Sequence, residues 1–159
     1  MICAGDGSTL AVLLTVDPLG GQIEMPYFTD TAEAEKYIGQ VFTMAIADPE
    51  IGPKLKAADV TLGINMTKPD ARVYVDYGAG QVYRGDTEHK ADVEMYMEAD
   101  VAQRFWLGKV NVAAALARGQ MRAKGPVPKI LKLVPLVKPI FPKYQLMLEE
   151  EGRQDLLVV

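Results

Sequence analysis

The chain has 159 residues, of which 49% are apolar and 24% charged, and its formal net charge is -4. This length and composition suit one globular domain with a sizeable core and exclude a disordered chain. The mildly acidic balance argues against nucleic-acid binding. A single cysteine, Cys3, excludes an internal disulfide and fits a cytoplasmic protein.

Residues 1–28 are expected to form an N-terminal extension outside the core fold. The segment contains four glycines and no long periodic pattern, and Met25-Pro26-Tyr27 resembles an alternative start. A short edge strand from Leu10 to Val16 is an equal alternative for part of this segment. The same apolar run is far too short to span a membrane.

Residues 29–57 are predicted to be mainly helical. Asp30 or Thr31 is a suitable N-cap, and apolar residues follow at helical spacing from Tyr37 onward. Pro49 and the Gly52-Pro53 pair are expected to break the helix.

Four strands, treated as an antiparallel run, are predicted between residues 60 and 98, because apolar and polar residues alternate there. Gly78-Ala79-Gly80 supplies a hairpin turn before the third strand, at 81–85. One face of the resulting sheet is apolar and the other polar, so only one side is expected to be covered. The predicted apolar face carries Val60, Leu62, Ile64, Met66, Val73, Val75, Tyr77, Val93, Met95 and Met97.

Two short helices are predicted after these strands. Asp100, with Gln103 three residues later, predicts a capped helix over 101–107 that Gly108 ends. Asn111 is predicted to cap a second helix, over 112–118, which Gly119 ends.

The last part of the chain is predicted to be a fifth strand at 120–124 followed by an apolar, proline-containing segment. Prolines at 128, 135, 139 and 142 forbid one long straight helix, so a short helix and a kinked segment are expected. Residues 149–159 are expected to form a C-terminal tail.

Charge is unevenly distributed along the chain. Residues 101–148 contain nine Lys or Arg and no Asp or Glu, whereas residues 1–100 contain seven basic and 17 acidic residues. Part of this asymmetry is expected to be internal pairing between the two halves. The lysines at 129, 132, 138 and 143 lie among Ile, Leu, Val and Phe, a pattern typical of an interfacial segment. The alternative is a core-packed helix with a solvated lysine face.

No catalytic constellation is evident in the sequence. His89, the only histidine, lies in a polar loop and is expected at the surface. One histidine and one cysteine do not make a usual zinc site. Gly78-Ala79-Gly80 lacks the third glycine of a dinucleotide fingerprint. The chain is therefore expected not to be an enzyme and to use no cofactor or metal.

The order of these elements, and the stretch from Val93 to Tyr144, resemble the sterol-carrier-protein-2-like family. The most similar parts are MEADVAQRFWLGK at 97–109, the helix around 113–116 and RGQMRAKG at 118–125. The resemblance covers residues 29–148. It implies an α+β fold in which helices cover one face of a five-stranded, mostly antiparallel sheet, with an apolar tunnel between them.

The resemblance further implies a protein that binds, and in some members transfers, a sterol, fatty acid or acyl-CoA. An accessory module that presents a hydrophobic intermediate to a partner enzyme is the alternative. A small enzyme acting on apolar ketones or esters would need an ionisable residue on the apolar sheet face, and none occurs in 60–66 or 93–97. The protein is expected to be a monomer or homodimer that contacts membrane surfaces transiently through 124–143.

The predicted ligand-binding residues are apolar side chains of the inner sheet face and of the helical roof above it. Arg104, Lys124 and Lys129 are expected to meet an anionic headgroup at the mouth. The apolar set comprises Ile64, Met66, Val75, Met95, Met97, Phe105, Trp106, Val112, Leu116, Met121, Ile130, Leu131, Val134, Val137 and Phe141.

Overall fold

A computed structural model describes residues 14–16, 22–24 and 27–157 and has the expected α+β architecture. The strands are β1 (Leu14–Val16), β2 (Gln22–Glu24), β3 (Thr61–Thr67), β4 (Ala71–Asp76), β5 (Gln81–Arg84), β6 (Val93–Glu98) and β7 (Met121–Lys124). The helices are α1 (Thr31–Ala47), α2 (Ile51–Ala58), α3 (Ala99–Trp106), α4 (Val112–Arg118), α5 (Val127–Val137) and α6 (Ile140–Glu150), followed by a 3-10 turn at Gln154–Leu156.

Strands β3 to β7 form a five-stranded sheet in the order β5-β4-β3-β6-β7. Three neighbouring pairs are antiparallel, which confirms a mostly antiparallel sheet. The expectation that the first four strands form a wholly antiparallel run is wrong, because β6 lies parallel to β3. The chain between β5 and β6 crosses the sheet so that β6 pairs with the central strand.

Strands β1 and β2 pair with each other rather than joining the large sheet. Of the strand predicted at 10–16, the structure describes 14–16, which pair with β2 and not with the main sheet. Residues 1–13, 17–21 and 25–26 of the predicted extension, Cys3 included, lie outside the described residues.

The apolar face of the sheet is built from paired methionines. Met66 lies opposite Met97 on the neighbouring strand, and Met97 lies opposite Met121 on the next. Ile64 and Met95 form the adjacent pair. All of these side chains are buried, which confirms the predicted placement of the four methionines on one face.

Two aspartates set the boundaries of α1 and α2. The Asp30 carboxylate accepts a hydrogen bond from the Glu33 amide at 2.8 Å and caps α1, as predicted. Asp48 ends α1, and its carboxylate accepts a hydrogen bond at 3.0 Å from the amide of Ile51, the first residue of α2. The break at Pro49 is confirmed. Gly52-Pro53, expected to break the helix, lies instead in the first turn of α2, where proline removes no helical hydrogen bond.

The start of α3 differs from the prediction. The helix begins at Ala99, directly after β6, and no side chain caps it. The Asp100 carboxylate accepts from the Tyr27 amide at 3.0 Å, and Gln103 is completely buried rather than part of a capping box. The predicted end of α3 at Gly108 is confirmed, since this glycine has the positive φ of a helix terminus.

The second short helix follows its prediction. The Asn111 carboxamide oxygen accepts from the Ala114 amide at 3.0 Å and caps α4, and Gly119 ends it in the left-handed conformation.

The prolines divide the C-terminal segment into two helices. Pro128 and Pro142 lie in the first turns of α5 and α6, and Pro135 lies near the end of α5. The predicted tail is packed on the domain, because α6 continues to Glu150 and Leu156 is fully buried.

Candidate ligand-binding cavity

An apolar cavity of about 70 Å³ lies between the apolar sheet face and the helices. Its wall combines residues of the sheet with residues of α1, α3, α4 and α5. None of the lining residues is charged, and Tyr77 is the lining residue that carries a hydroxyl group. The lining residues are Ile38, Phe42, Leu62, Ile64, Tyr77, Met95, Met97, Ala102, Phe105, Trp106, Val112, Met121, Ile130, Leu133, Val134 and Val137.

The size of this cavity limits what it holds without adjustment. An engineered apolar cavity of about 150 Å³ holds benzene and stays dry, and this cavity is about half as large. It therefore accommodates only a few carbon atoms as it stands. The structure of the described residues has this short void where a tunnel is expected, and the tunnel itself is not shown. An acyl chain would fit only if the walls of the void moved.

A surface groove of about 520 Å³ adjoins the cavity. We use "the groove" for the space between the α3–α4 connection and α5. Phe105, Val112 and Val134 line both spaces, so the cavity and the groove share part of their walls. The groove is lined by Phe105, Gly108, Lys109, Val110, Asn111, Val112, Ala113, Leu131, Val134, Pro135, Lys138 and Phe141.

Aromatic rings dominate the boundary between cavity and groove. Trp106 is buried in the cavity wall and meets Phe42 edge to face, with ring centroids 5.1 Å apart. Phe105 packs in the same way against Trp106 at 5.1 Å and against Phe141 at 5.4 Å. Such contacts are more favourable than area burial alone predicts, so the aromatic wall is well packed.

The structure brings most of the predicted ligand-binding residues to the cavity or the groove. Leu131 and Phe141 line the groove alone. Met66 and Val75 are buried on the same sheet face but line neither space, and Leu116 lines neither. The cavity wall includes Ile64, Met95, Met97, Phe105, Trp106, Val112, Met121, Ile130, Val134 and Val137.

Six cavity residues were not among those predicted. Ile38 and Phe42 belong to the apolar stripe of α1, which was recognised as helical but not assigned to the wall. Tyr77 was placed on the apolar face, but without a role. The others are Leu62, Ala102 and Leu133.

The cations expected at the mouth lie elsewhere. The Lys124 ammonium lies over the ring of Tyr96 at 5.5 Å, on the polar face of the sheet. The Arg104 guanidinium lies 5.8 Å from the ring centre of Tyr27, and Lys129 lines neither space. The lysines that line the groove are Lys109 and Lys138.

Internal pairing between the acidic and basic halves is confirmed at Lys143. Its ammonium donates to the Asp48 carboxylate, whose side chain is 5% exposed. This hydrogen bond, together with the amides of Ile51 and Glu50, lowers the pKa of Asp48 to about 2. The pair ties α6 to the junction between α1 and α2.

A second ion pair lies on the opposite, polar face of the sheet. The Arg72 guanidinium donates to Glu94 at 2.6 Å and to the backbone carbonyls of Asp86 and His89. It thereby holds the 85–92 loop against the sheet. The His89 side chain is exposed, as predicted.

Neither a metal centre nor a spanning helix is found in residues 14–16, 22–24 and 27–157. No group of three or more His, Cys, Asp or Glu side chains there is arranged to hold a metal ion. No helix within these ranges is long and apolar enough to cross a bilayer.

The fold and cavity define an α+β domain in which helices roof the apolar face of a mixed sheet above a small apolar void. The sequence matches the SCP-2 sterol transfer family over residues 39–138. The protein belongs to this family. No curated protein matches the sequence.

Solved structures share the fold at low sequence identity. Sterol carrier protein 2 from Yarrowia lipolytica, in its apo form, has a TM-score of 0.53 and 22% identity, covering 64% of this chain and 87% of its own. The sterol carrier protein domain 2 of Helicoverpa armigera has a TM-score of 0.55 and 19% identity, covering 67% and 87%. Sterol carrier protein 2 from Aedes aegypti in complex with palmitate has a TM-score of 0.53 and 16% identity, covering 66% and 94%.

Proposed function

We propose that this protein binds an elongated apolar lipid, with the hydrocarbon part in the cavity and the polar end in the groove. The observation that carries the proposal is the uncharged apolar cavity beside a surface groove, with three side chains that line both spaces. Family membership and the palmitate complex of the Aedes aegypti relative support it.

The energetic gain comes from removing hydrocarbon from water. Each buried methylene contributes about 0.8 kcal/mol, so ten of them offer roughly 8 kcal/mol before entropic costs. This gain is large enough to offset a rearrangement of the wall that costs a few kcal/mol. No catalytic group is required.

Enlargement of the cavity is expected to begin at its flexible side chains and at α5. Met95, Met97 and Met121 lie on the sheet side of the wall, and methionine repacks around ligands of different shape. On the roof, Val134 lines both spaces and precedes Pro135, which removes one backbone hydrogen bond from α5. An outward movement of α5 therefore joins the cavity to the groove.

The polar end of the lipid is expected to lie near the two groove lysines. Lys109 and Lys138 line the groove, whereas no charged side chain lines the cavity. A carboxylate or phosphate is stabilised beside these ammonium groups and would be costly to bury in the cavity. This arrangement orients an anionic lipid with its tail inward.

The outer surface of α5 is suited to transient contact with an anionic membrane. We use "the lysine face" for Lys129, Lys132 and Lys138 together with Leu131, which is 38% exposed. The three lysines form no ion pair with a carboxylate of the described residues. Each lysine near an anionic surface contributes about 1 kcal/mol, so loading and release of lipid are expected to occur here.

Energy transfer from Trp106 to cis-parinaric acid, a fluorescent fatty acid, tests the proposal. Trp106 is the only tryptophan of the chain and lies in the cavity wall, so it reports on an occupant directly. We expect saturable binding by the wild-type protein and at least tenfold weaker binding by Ala102→Leu, which fills the void. Ala117→Leu, on the exposed side of α4, is the matched control and should bind normally. Wild-type binding that Ala102→Leu leaves unchanged would place the lipid elsewhere.

A further inference from the structure

The hydroxyl of Tyr77 is the unusual group of the cavity. Tyr77 follows β4, is 2% exposed and lines the cavity among apolar side chains. Its hydroxyl makes no hydrogen bond within the described part of the chain. A buried hydroxyl without a partner costs free energy that phenylalanine at the same position would avoid.

Tyr144 is a buried tyrosine that does not line the cavity, and it provides a comparison for Tyr77. Its side chain is fully buried, and its hydroxyl donates to the Gln103 side chain at 2.6 Å. Within residues 27–157, every side-chain nitrogen or oxygen that is fully enclosed by protein has a hydrogen-bond partner. The Tyr77 hydroxyl is therefore not fully enclosed by protein, and its side chain is one of those that line the cavity.

We infer that Tyr77 is a specificity-determining residue, which hydrogen-bonds a neutral hydroxyl or carbonyl oxygen on the part of the ligand that enters the cavity. The inference rests on the proposed function and deepens it. Tyr77 thereby favours apolar ligands that carry such an oxygen at the end that lies in the cavity.

The side chains around Tyr77 determine which kind of ligand oxygen its hydroxyl binds. No Lys, Arg or His lines the cavity, so a carboxylate would be buried there without a counter-charge. Moving an alcohol, ketone or ester oxygen from water into the cavity costs much less free energy than moving a carboxylate there. Such an oxygen also forms the hydrogen bond that the Tyr77 hydroxyl lacks. Burial raises the pKa of Tyr77 well above its usual value, so the hydroxyl keeps its proton and is available as a donor at neutral pH.

The test compares 1-octanol with octane as competitors of cis-parinaric acid, in wild-type protein and in Tyr77→Phe. The two probes have the same chain length and differ by one hydroxyl. The quantity of interest is the ratio of their affinities, because this ratio cancels general effects of the substitution on the cavity. Tyr83→Phe, which removes an exposed hydroxyl on the polar face of the sheet, is the matched control.

We expect Tyr77→Phe to lower the octanol-to-octane ratio by about two- to tenfold while octane affinity stays within about twofold of the wild type. Tyr83→Phe should leave the ratio unchanged. An unaltered ratio in Tyr77→Phe, with both probes still bound, overturns the role of Tyr77 and leaves the proposed function intact. If the wild-type protein binds neither probe nor cis-parinaric acid, both proposals fail.

Protein stability gives a second readout. Because the hydroxyl has no protein partner, Tyr77→Phe should unfold at the wild-type urea midpoint or above it. A clearly lower midpoint would show that the hydroxyl serves packing, and would also overturn the inference.

Discussion

The rings of Phe105 and Phe141 meet edge to face, with centroids 5.4 Å apart, where the cavity approaches the groove. Gly108 makes this approach possible, because a Cβ atom there would lie 3.3 Å from the Phe141 ring. Phe105 lines both spaces, as Val112 and Val134 do, and it is the largest of the three, so we expect a ligand that passes from the groove to the cavity to displace it.

Replacing Phe105 with alanine should therefore open the cavity to the groove. We expect cis-parinaric acid to dissociate several-fold faster from Phe105→Ala, as measured by stopped-flow fluorescence. The free energy of unfolding should fall by about 2–3 kcal/mol, less than for a fully buried phenylalanine. The control is Phe28→Ala, which removes a core ring that stacks on Tyr37 away from the cavity. Equal dissociation rates in the two variants would contradict the gating role.

The hydrogen bonds of Gln103 should contribute to stability rather than to ligand binding. Its carboxamide accepts from the Tyr144 hydroxyl at 2.6 Å and donates to the Leu156 carbonyl at 2.9 Å. Gln103→Leu leaves both partners unsatisfied in the core and should cost about 1–3 kcal/mol in urea unfolding. Its affinity for cis-parinaric acid should stay close to the wild-type value, and a selective loss of binding would count against this division of roles.

The ion pair between Arg72 and Glu94 should make stability depend on acidic pH. Burial raises the pKa of Glu94, but hydrogen bonds from Arg72, the Ala91 amide and Asn65 outweigh it and hold the pKa at about 2, below the usual 4.5. Because the folded-state pKa is lowered, the contribution is present above about pH 4.5 and is lost as pH falls toward 2.

The corresponding measurement is urea unfolding at several pH values between 2 and 5 for wild type and Glu94→Gln. Between pH 2 and 5, unfolding of Glu94→Gln should be accompanied by the uptake of up to about one proton fewer than unfolding of the wild type. Its free energy of unfolding should therefore depend less strongly on pH. Glu98→Gln, whose carboxylate is half exposed and 3.9 Å from Lys68, should keep the wild-type slope. Parallel curves for wild type and Glu94→Gln would refute the assignment.

The lysine face should control contact with anionic membranes. Changing Lys129, Lys132 and Lys138 to glutamine removes about 3 kcal/mol of attraction, so binding to vesicles that contain phosphatidylserine should weaken roughly a hundredfold at low salt. The matched control is the triple glutamine change at Lys54, Lys56 and Lys90, which are exposed outside α5. Equal weakening by both triples would mean that net charge alone governs binding.

Much of the fold follows from local patterns in the sequence. Alternation of apolar residues correctly placed Met66, Met95 and Met121 on one sheet face. Asn111 and Gly119 bound α4 as expected, because a cap and a left-handed terminus depend on neighbouring residues only.

Long-range pairings were the part that local patterns did not predict. The path of the chain between β5 and β6 determines that β6 lies parallel to β3. Apolar and polar residues alternate in the same way in parallel and antiparallel strands, so this pattern does not reveal the orientation. Gln103 has the correct spacing for a capping box, yet its partners Tyr144 and Leu156 lie 41 and 53 residues away. Sequence spacing cannot reveal such partners.

The candidate site was predictable in composition but not in shape. The apolar residues of 130–141, Ile130 and Val137 among them, are assigned to the wall by the family resemblance, and these two line the cavity. The volume of the void, and the unsatisfied hydroxyl of Tyr77 beside it, depend on how side chains of three strands and four helices fit together. Local periodicity carries no information on that fit.

Methionine methyl signals in solution NMR test the central claim most directly. Met95, Met97 and Met121 line the cavity, whereas Met44 and Met147 lie outside it and serve as internal controls. On titration with palmitate, we predict saturable shifts of the three cavity methyl signals and little change in the two controls. Shifts confined to Met44 or Met147, or none at saturating palmitate, would contradict a lipid site between the sheet and its helical roof.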